Sequence, residues 1–167
     1  MPHWSIHLPH LAPDEALGPL IDDIEWAIDT VERRVATVAQ PFTLDIFVQC
    51  SDGNVIPELG YVGYSPGPGA IYLTFDPANA NLRRSLGAPL GRMIAHECHH
   101  AMRWREVGYG RTLLEALVSE GLAGHFVREL YQSEPEPWER ALPASALAPF
   151  AAEALRDGDA LTYDHAA

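Results

Sequence analysis

The sequence predicts an α+β fold, with one long helix, then three short strands, then a run of helices gathered on one side of a small sheet. Two observations carry this. Apolar residues recur at three- and four-residue steps before position 41 and again after position 86. Between positions 43 and 75 they fall instead in short β-rich runs bounded by Gly, Pro, Asn and Asp. The 167 residues suit one domain with a real core, and 47% apolar and 20% charged residues is a globular composition.

Each element has a local reason. Residues 1–12 hold His3, His7 and His10 at loose spacing, interrupted by Pro2 and Pro9, and read as an irregular arm rather than a second metal site. Pro13-Asp14-Glu15 opens a helix, because Pro suits the first turn and acids favour its positive end. Leu17, Leu20, Ile21, Ile24, Ile28, Val31 and Val35 then form one apolar stripe of about six turns, ending before Pro41. Residues 43–48 read as a strand, 51–54 as a turn and 60–64 as a second short strand. Ser65-Pro66-Gly67-Pro68-Gly69 reads as a breaker, and AIYLTF at 70–75 is the clearest strand, closed by Asp76-Pro77. A helical turn is expected at 79–86. A helix follows from Leu86 or Pro89 to near Gly108 and Gly110, and another spans 112–131. Residues 134–137, Glu-Pro-Glu-Pro, read as a linker. One or two helices broken by Pro143 and Pro149 come next, and 156–167 read as a loose tail. There is no internal repeat.

The chemistry concentrates at His96-Glu97-Cys98-His99-His100, an H-E-x-x-H pattern. On a helix His96 and His100 stand one turn apart on one face, so both imidazoles can bind one metal ion, most commonly zinc. Glu97, beside the first of them, is placed to take a proton from an attacking water. The flanks Met93, Ile94, Ala95, Ala101, Met102 and Trp104 mark a buried helix, which does not carry three His and a Glu without a reason. Cys98 reads as a small buried apolar residue, His99 as a core or supporting His, and Arg103 as a partner in a structural ion pair. A catalytic zinc takes three protein ligands and keeps an open position. The next helix offers Glu115 and Glu120. Glu120 lies among small residues in Ser119-Glu120-Gly121-Leu122-Ala123-Gly124, where another helix can approach closely, and is the preferred third ligand.

The net charge of −12 argues against nucleic acid and anionic membrane as partners, since both demand basic patches. Cys50 and Cys98 are too few for a disulfide framework and read as free thiols in a reducing compartment. No signal peptide and no membrane-spanning apolar run is visible, so the expectation is a cytoplasmic protein.

His96-Glu97-x-x-His100 followed twenty positions later by Glu120 on a second helix resembles the gluzincin metallopeptidases. More narrowly, HECHHAMRW with TLLEALVSEGLAGHFV is similar to a bacterial domain-of-unknown-function family of predicted zinc-dependent proteases, most closely over residues 90–131. The resemblance implies a zincin-like catalytic domain over 1–167 and one Zn2+ per chain on His96, His100 and Glu120. It also implies Glu97 as general base and a peptide or protein substrate. It implies a further C-terminal segment beyond Ala167, so the chain reads as a shortened form. Many gluzincins carry an acid four positions after the glutamate ligand, to orient a motif His. Here that position is Gly124, so such support must come from elsewhere. His125, Tyr131, Tyr163 and His165 offer no convincing oxyanion donor.

Two functions compete. One is zinc-dependent peptide hydrolysis. The other is a zinc-binding interaction or regulatory domain without catalysis, for which Glu97 would have no use. For the first, Ala70–Phe75 is expected to be an edge strand beside the metal, onto which an extended substrate adds, because Pro66 and Pro68 precede it and Pro is tolerated at sheet edges.

Overall fold

In chain order the elements are β1 (Trp4–His7), α1 (Gly18–Val35), β2 (Leu44–Cys50), β3 (Tyr61–Gly67), β4 (Ala70–Phe75), α2 (Leu82–Ser85), α3 (Ala88–Glu106), α4 (Leu113–Tyr131) and α5 (Leu147–Arg156). Two 3-10 turns, Pro137–Arg140 and Ala144–Ala146, lie between the last two helices. This computed structural model describes residues 4–8 and 18–161. The helix opening at Pro13-Asp14-Glu15, and His3, His10, Tyr163 and His165, lie outside the described residues.

The four strands form one mixed sheet in the order β1-β2-β4-β3. β1 and β4 both run parallel to β2, while β3 and β4 are an antiparallel hairpin. Period-two alternation sends Leu44, Ile46, Val48, Ile71, Leu73 and Phe75 to one face, where all are almost fully buried, and Asp45 and Tyr72 to the other. α1 and α3 cover the apolar face. α1 contributes Leu20, Ile24, Ala27, Ile28, Val31 and Val35, spaced to keep one side inward. Each fully buried aliphatic side chain here stabilises the fold by about 1.5–3 kcal/mol.

Three expectations are corrected. Within the N-terminal arm, Trp4–His7 is a strand, because Trp4 and Ile6 alternate into the core. Trp4 packs on Phe42 at 5.8 Å, its N–H donates to Glu32 Oε1 at 3.3 Å, and Ile6 pairs with Ile46. The Ser65-Pro66-Gly67 segment does not break β3, which continues to Gly67. A register irregularity between Tyr64 and Gly67 absorbs Pro66, and Gly69, at φ +81°, makes the reversal. Ala70–Phe75 is therefore not an edge strand. β2 pairs with one side of it and β3 with the other; of the prolines that signalled an edge, Pro66 belongs to β3, which lies at one edge of the sheet, and Pro68 to the turn after it.

Beyond α4 the chain is more ordered than its composition suggests. Pro149 sits in the first turn of α5, where its missing N–H is not needed, so it does not break the helix. The stretch after α5 is not a loose tail as far as Leu161. Gly158 and Ala160 carbonyls accept from the Leu114 and Leu113 amides, both at 3.2 Å, satisfying free N–H groups of the first turn of α4. Residues 162–167 lie outside the described part. No helix among the described residues is long and apolar enough to cross a membrane.

Candidate metal centre

α3 starts after Gly87 (φ +75°) with Pro89 in its first turn, and places Leu90, Ile94, Cys98 and Ala101 in the core. That phase turns His96 and His100 toward α4. α4 begins with a capping box: Thr112 Oγ1 accepts from the Glu115 N–H at 3.3 Å, and Glu115 Oε2 accepts from the Thr112 N–H at 3.1 Å. The buried side of α4 is short-chained, Ala116, Ser119 and Ala123, which lets the two helices approach closely. Glu120, next to Ser119, thereby reaches α3.

His96, His100 and Glu120 converge. His96 Nε2 lies 3.0 Å from His100 Nε2 and 3.0 Å from Glu120 Oε2, and His100 Nε2 lies 3.3 Å from Glu120 Oε1. Donor atoms ~2.0–2.1 Å from a tetrahedral zinc stand ~3.3 Å apart, so this spacing fits one ion. The donor set fits too, because two ring nitrogens and a carboxylate facing one point are acceptors that a cation satisfies together. Glu115 does not join them. Its carboxylate is committed to its own helix cap, with a further hydrogen bond from the Arg111 N–H at 2.7 Å, and these bonds hold its carboxyl below its ordinary value.

Burial alone would raise the Glu120 carboxyl, but hydrogen bonds with His100, His96 and Tyr109 outweigh it and hold the group far below the usual carboxylate range. Burial alone would lower the His96 imidazole. The Glu120 hydrogen bond and the charges of Glu97, Glu120 and Glu139 outweigh it and raise it. Glu97 is only 7% exposed yet lies at the groove wall, and burial pushes its carboxyl up against the pull of His96, His100 and a hydrogen bond from the Ser65 backbone. It is wedged against β3, where a Cβ on Gly63 would come within 2.6 Å of Glu97 Cγ. Trp104 Nε1–H donates to the Ser65 carbonyl at 3.2 Å, which fixes that strand against α3.

The other candidates fall away from the cluster. Cys98 is buried in the core, where burial pushes its thiol up. His99 packs on Phe126 at 5.5 Å, and burial with the neighbouring His100 and His96 pushes it down to about 4. The Arg103 Nε is buried without a hydrogen-bond partner among the described residues, while the guanidinium charge helps to hold Glu115 down. His125 pairs with Glu129 on the exposed side of α4, and Tyr131 packs over Gly91.

Several residues of the site are not legible as such in the sequence. Tyr109 is buried, its hydroxyl donates to Glu120 Oε1, and its ring lies 5.2 Å from that of His100. Its one local signal is an aromatic residue between Gly108 and Gly110. Ser119 Oγ lies 3.5 Å from His100 Nδ1. The segment read as a linker instead walls the site. Arg92, one turn before His96, pairs with Glu136, and Trp138 and Glu139 line the same groove. That groove, of about 1320 Å³, runs between β3, α3, α4 and this segment, and His96, Glu97 and Glu120 open onto it.

The chain is similar to the uncharacterized protein YjfC of Bacillus subtilis (strain 168), 36% identical over 85 residues. The match covers 48% of this chain and 27% of that protein, so the chain spans well under two thirds of its relative's length. No solved structure matches. A family model described as predicted Zn-dependent protease (DUF2268) matches residues 25–167, nearly all of the sequence carrying the sheet, the groove and the His/Glu cluster, and the chain belongs to that family.

Proposed function

We propose that this protein is a zincin-like metallopeptidase of the gluzincin type, binding one zinc ion per chain through His96, His100 and Glu120. The observation that carries the reading is the convergence of those three side chains, from two helices, with Glu97 beside them at the groove wall. Bound there, zinc supplies Lewis acidity that polarises a carbonyl and makes water a nucleophile near neutral pH.

The chain's own residues supply the rest. Glu97 accepts a proton from the attacking water at a carboxylate oxygen and returns it to the leaving amine nitrogen. Burial raises its pKa above the ordinary carboxyl value, which strengthens it as the proton acceptor. Tyr109 and Ser119 hold Glu120 and His100 in place. β3 provides the docking edge. Its Tyr61 carbonyl accepts from the Ile56 N–H, and its Ser65 carbonyl from Trp104, both on the side away from β4. Backbone direction alternates along a strand, so Gly63 presents its N–H and C=O on that same side, next to Glu97. An extended peptide can pair there without regard to its side chains. A purely structural zinc site closes with four protein ligands. Among the described residues this cluster has three, which speaks for catalysis.

The test is metal content and turnover together. Purified protein is expected to hold one zinc per chain and to cleave an unstructured protein such as casein. Replacing both His96 and His100 with Ala removes the zinc. Glu120→Ala weakens it far more than Glu115→Ala, which costs about 1 kcal/mol of helix capping instead. Glu97→Gln keeps the zinc and loses about 10²–10⁴-fold in turnover. Full zinc occupancy in the His double variant overturns the site, and undiminished turnover in Glu97→Gln overturns the general base.

A further inference from the structure

α4 turns one stripe of residues to the groove. Leu117, Glu120, Gly121, Gly124 and Val127 recur at three- and four-residue spacing and all line it. Two of them are glycines inside a 19-residue helix, where Gly is disfavoured relative to Ala. Gly124 has a packing reason, because a Cβ there would lie 2.5 Å from Glu139 Oε1. Gly121 has none. A Cβ built on it meets nothing within 4 Å, and its backbone is not in the left-handed region. Glycine also serves where a ligand must come close to the backbone, and Gly121 directly follows Glu120 of the His/Glu cluster.

The wall around Gly121 is apolar. Leu117 and Trp138 line the same groove and are 49% and 54% exposed, and Met93 of α3 joins them. The charges on this side are engaged with one another: Arg92 pairs with Glu136, and Glu139 Oε2 accepts from the Glu136 N–H. Glu58 and Arg84, which line the groove from the β3 and α2 side, are one acid and one base and favour neither sign. A charged side chain entering here would lose its water, whereas a large apolar one gains burial.

The groove leaves the cluster in one direction. From His96 and Glu97 it continues along Met93, Arg92 and Pro89 toward the start of α3. Beyond His100 the way is taken by aromatic rings. Tyr109 lies 5.2 Å from the His100 ring, Trp104 stacks on Tyr109 at 6.1 Å, and Trp104 Nε1–H occupies the Ser65 carbonyl of β3.

We propose that this groove reads a large apolar side chain, such as Leu or Phe, next to the scissile bond of an extended peptide and on one side of that bond only. Gly121 sets the specificity by leaving the room, and Trp138 by walling it. The inference rests on the peptidase reading above and names its substrate class.

The experiment maps the bonds cut in casein by mass spectrometry. It then measures kcat/KM for short peptides carrying Leu, Phe, Ala, Lys or Glu at the position so found. The same peptides are titrated into zinc-loaded Glu97→Gln protein, which gives a Kd without cleavage. Wild type should favour Leu and Phe over Ala by about 10-fold or more, with no preference across the bond, and the Kd values should follow the same order. Gly121→Leu should fill the space and bring that preference to within about twofold. It should keep its zinc and melt no lower than wild type, because Leu is the better helix former. Trp138→Ala should weaken the Leu and Phe peptides and leave the Ala peptide unchanged. A preference for Lys or Glu, equal selectivity on both sides of the bond, or wild-type selectivity in Gly121→Leu each overturns the inference. Wild type that cuts casein without side-chain preference overturns this inference alone. Wild type that holds zinc and cuts nothing overturns the peptidase reading, and this one falls with it.

Discussion

At the scale of single residues, Glu97 sets burial against charge. A carboxylate shut between α3 and β3 loses hydration, and one backbone hydrogen bond from Ser65 does not restore it, so its carboxyl is raised from the ordinary value of 4.5. A group whose folded-state pKa is raised binds its proton more tightly folded than unfolded. Its contribution to stability is therefore full below the unfolded value and is lost as pH rises through the folded value. Gln has the same shape and no charge to desolvate. Metal-free Glu97→Gln should accordingly melt above metal-free wild type at pH 7, with the gap narrowing as pH falls toward about 4.5. Thermal scans across that range decide it, and a variant less stable than wild type at pH 7 would show that Glu97 is held in place by favourable contacts instead. A Glu97→Gln variant more stable than wild type would be the pattern expected where a side chain is kept for chemistry.

At the scale of elements, the site depends on how closely three of them approach. α4 comes near α3 because Ala116, Ser119 and Ala123 are short, and β3 comes near α3 because Gly63 has no side chain. A methyl at position 63 would press on Glu97 Cγ, a part of that side chain that cannot swing away without leaving its pocket. Gly63→Ala should therefore destabilise the fold by about 1–3 kcal/mol through overpacking, and cut turnover further by shifting Glu97. Chemical denaturation and a kcat measurement test this. A variant with wild-type stability and turnover would mean that α3 and β3 separate freely, and would remove the reason given for the glycine. The elements themselves were largely readable, since strong periodicity located α1, α3, α4 and β4 to within a few residues. β1 was hidden behind two prolines and three histidines, and the reach of β3 behind a Pro/Gly run, because both lie at the rims of the sheet, where irregular backbone is tolerated.

At the scale of the molecule, the cluster is a clasp. His96 and His100 hang from α3, which is seated on the sheet, while Glu120 hangs from α4, which leaves Val118 and Leu122 exposed on its outer side. An ion shared by the two helices binds the folded chain and not the unfolded one, so it stabilises by mass action. With free zinc a hundredfold above its dissociation constant the gain is about 2.7 kcal/mol, or a rise of about 5–10 °C in melting temperature for a chain of this size. Removing zinc with a chelator should reverse the rise, and the variant lacking both His96 and His100 should show none. The same rise in that variant would place the ion elsewhere.

The sequence by itself determined what is local: the helix that sets two histidines one turn apart, the glutamate between them, and the alternation that makes a sheet face. It also pointed to Glu120 rather than Glu115 as the acid that meets the two histidines, since short residues around Glu120 permit close helix packing. What only the tertiary structure decided is which strand lies at the edge, which side chains support the His/Glu cluster, and what stands over Gly124. Those depend on contacts between residues far apart in the chain, such as Tyr109 with Glu120, Gly63 with Glu97 and Arg92 with Glu136. Periodicity and spacing describe the face a residue presents. They do not say what folds back to meet it, because that is set by how whole elements pack.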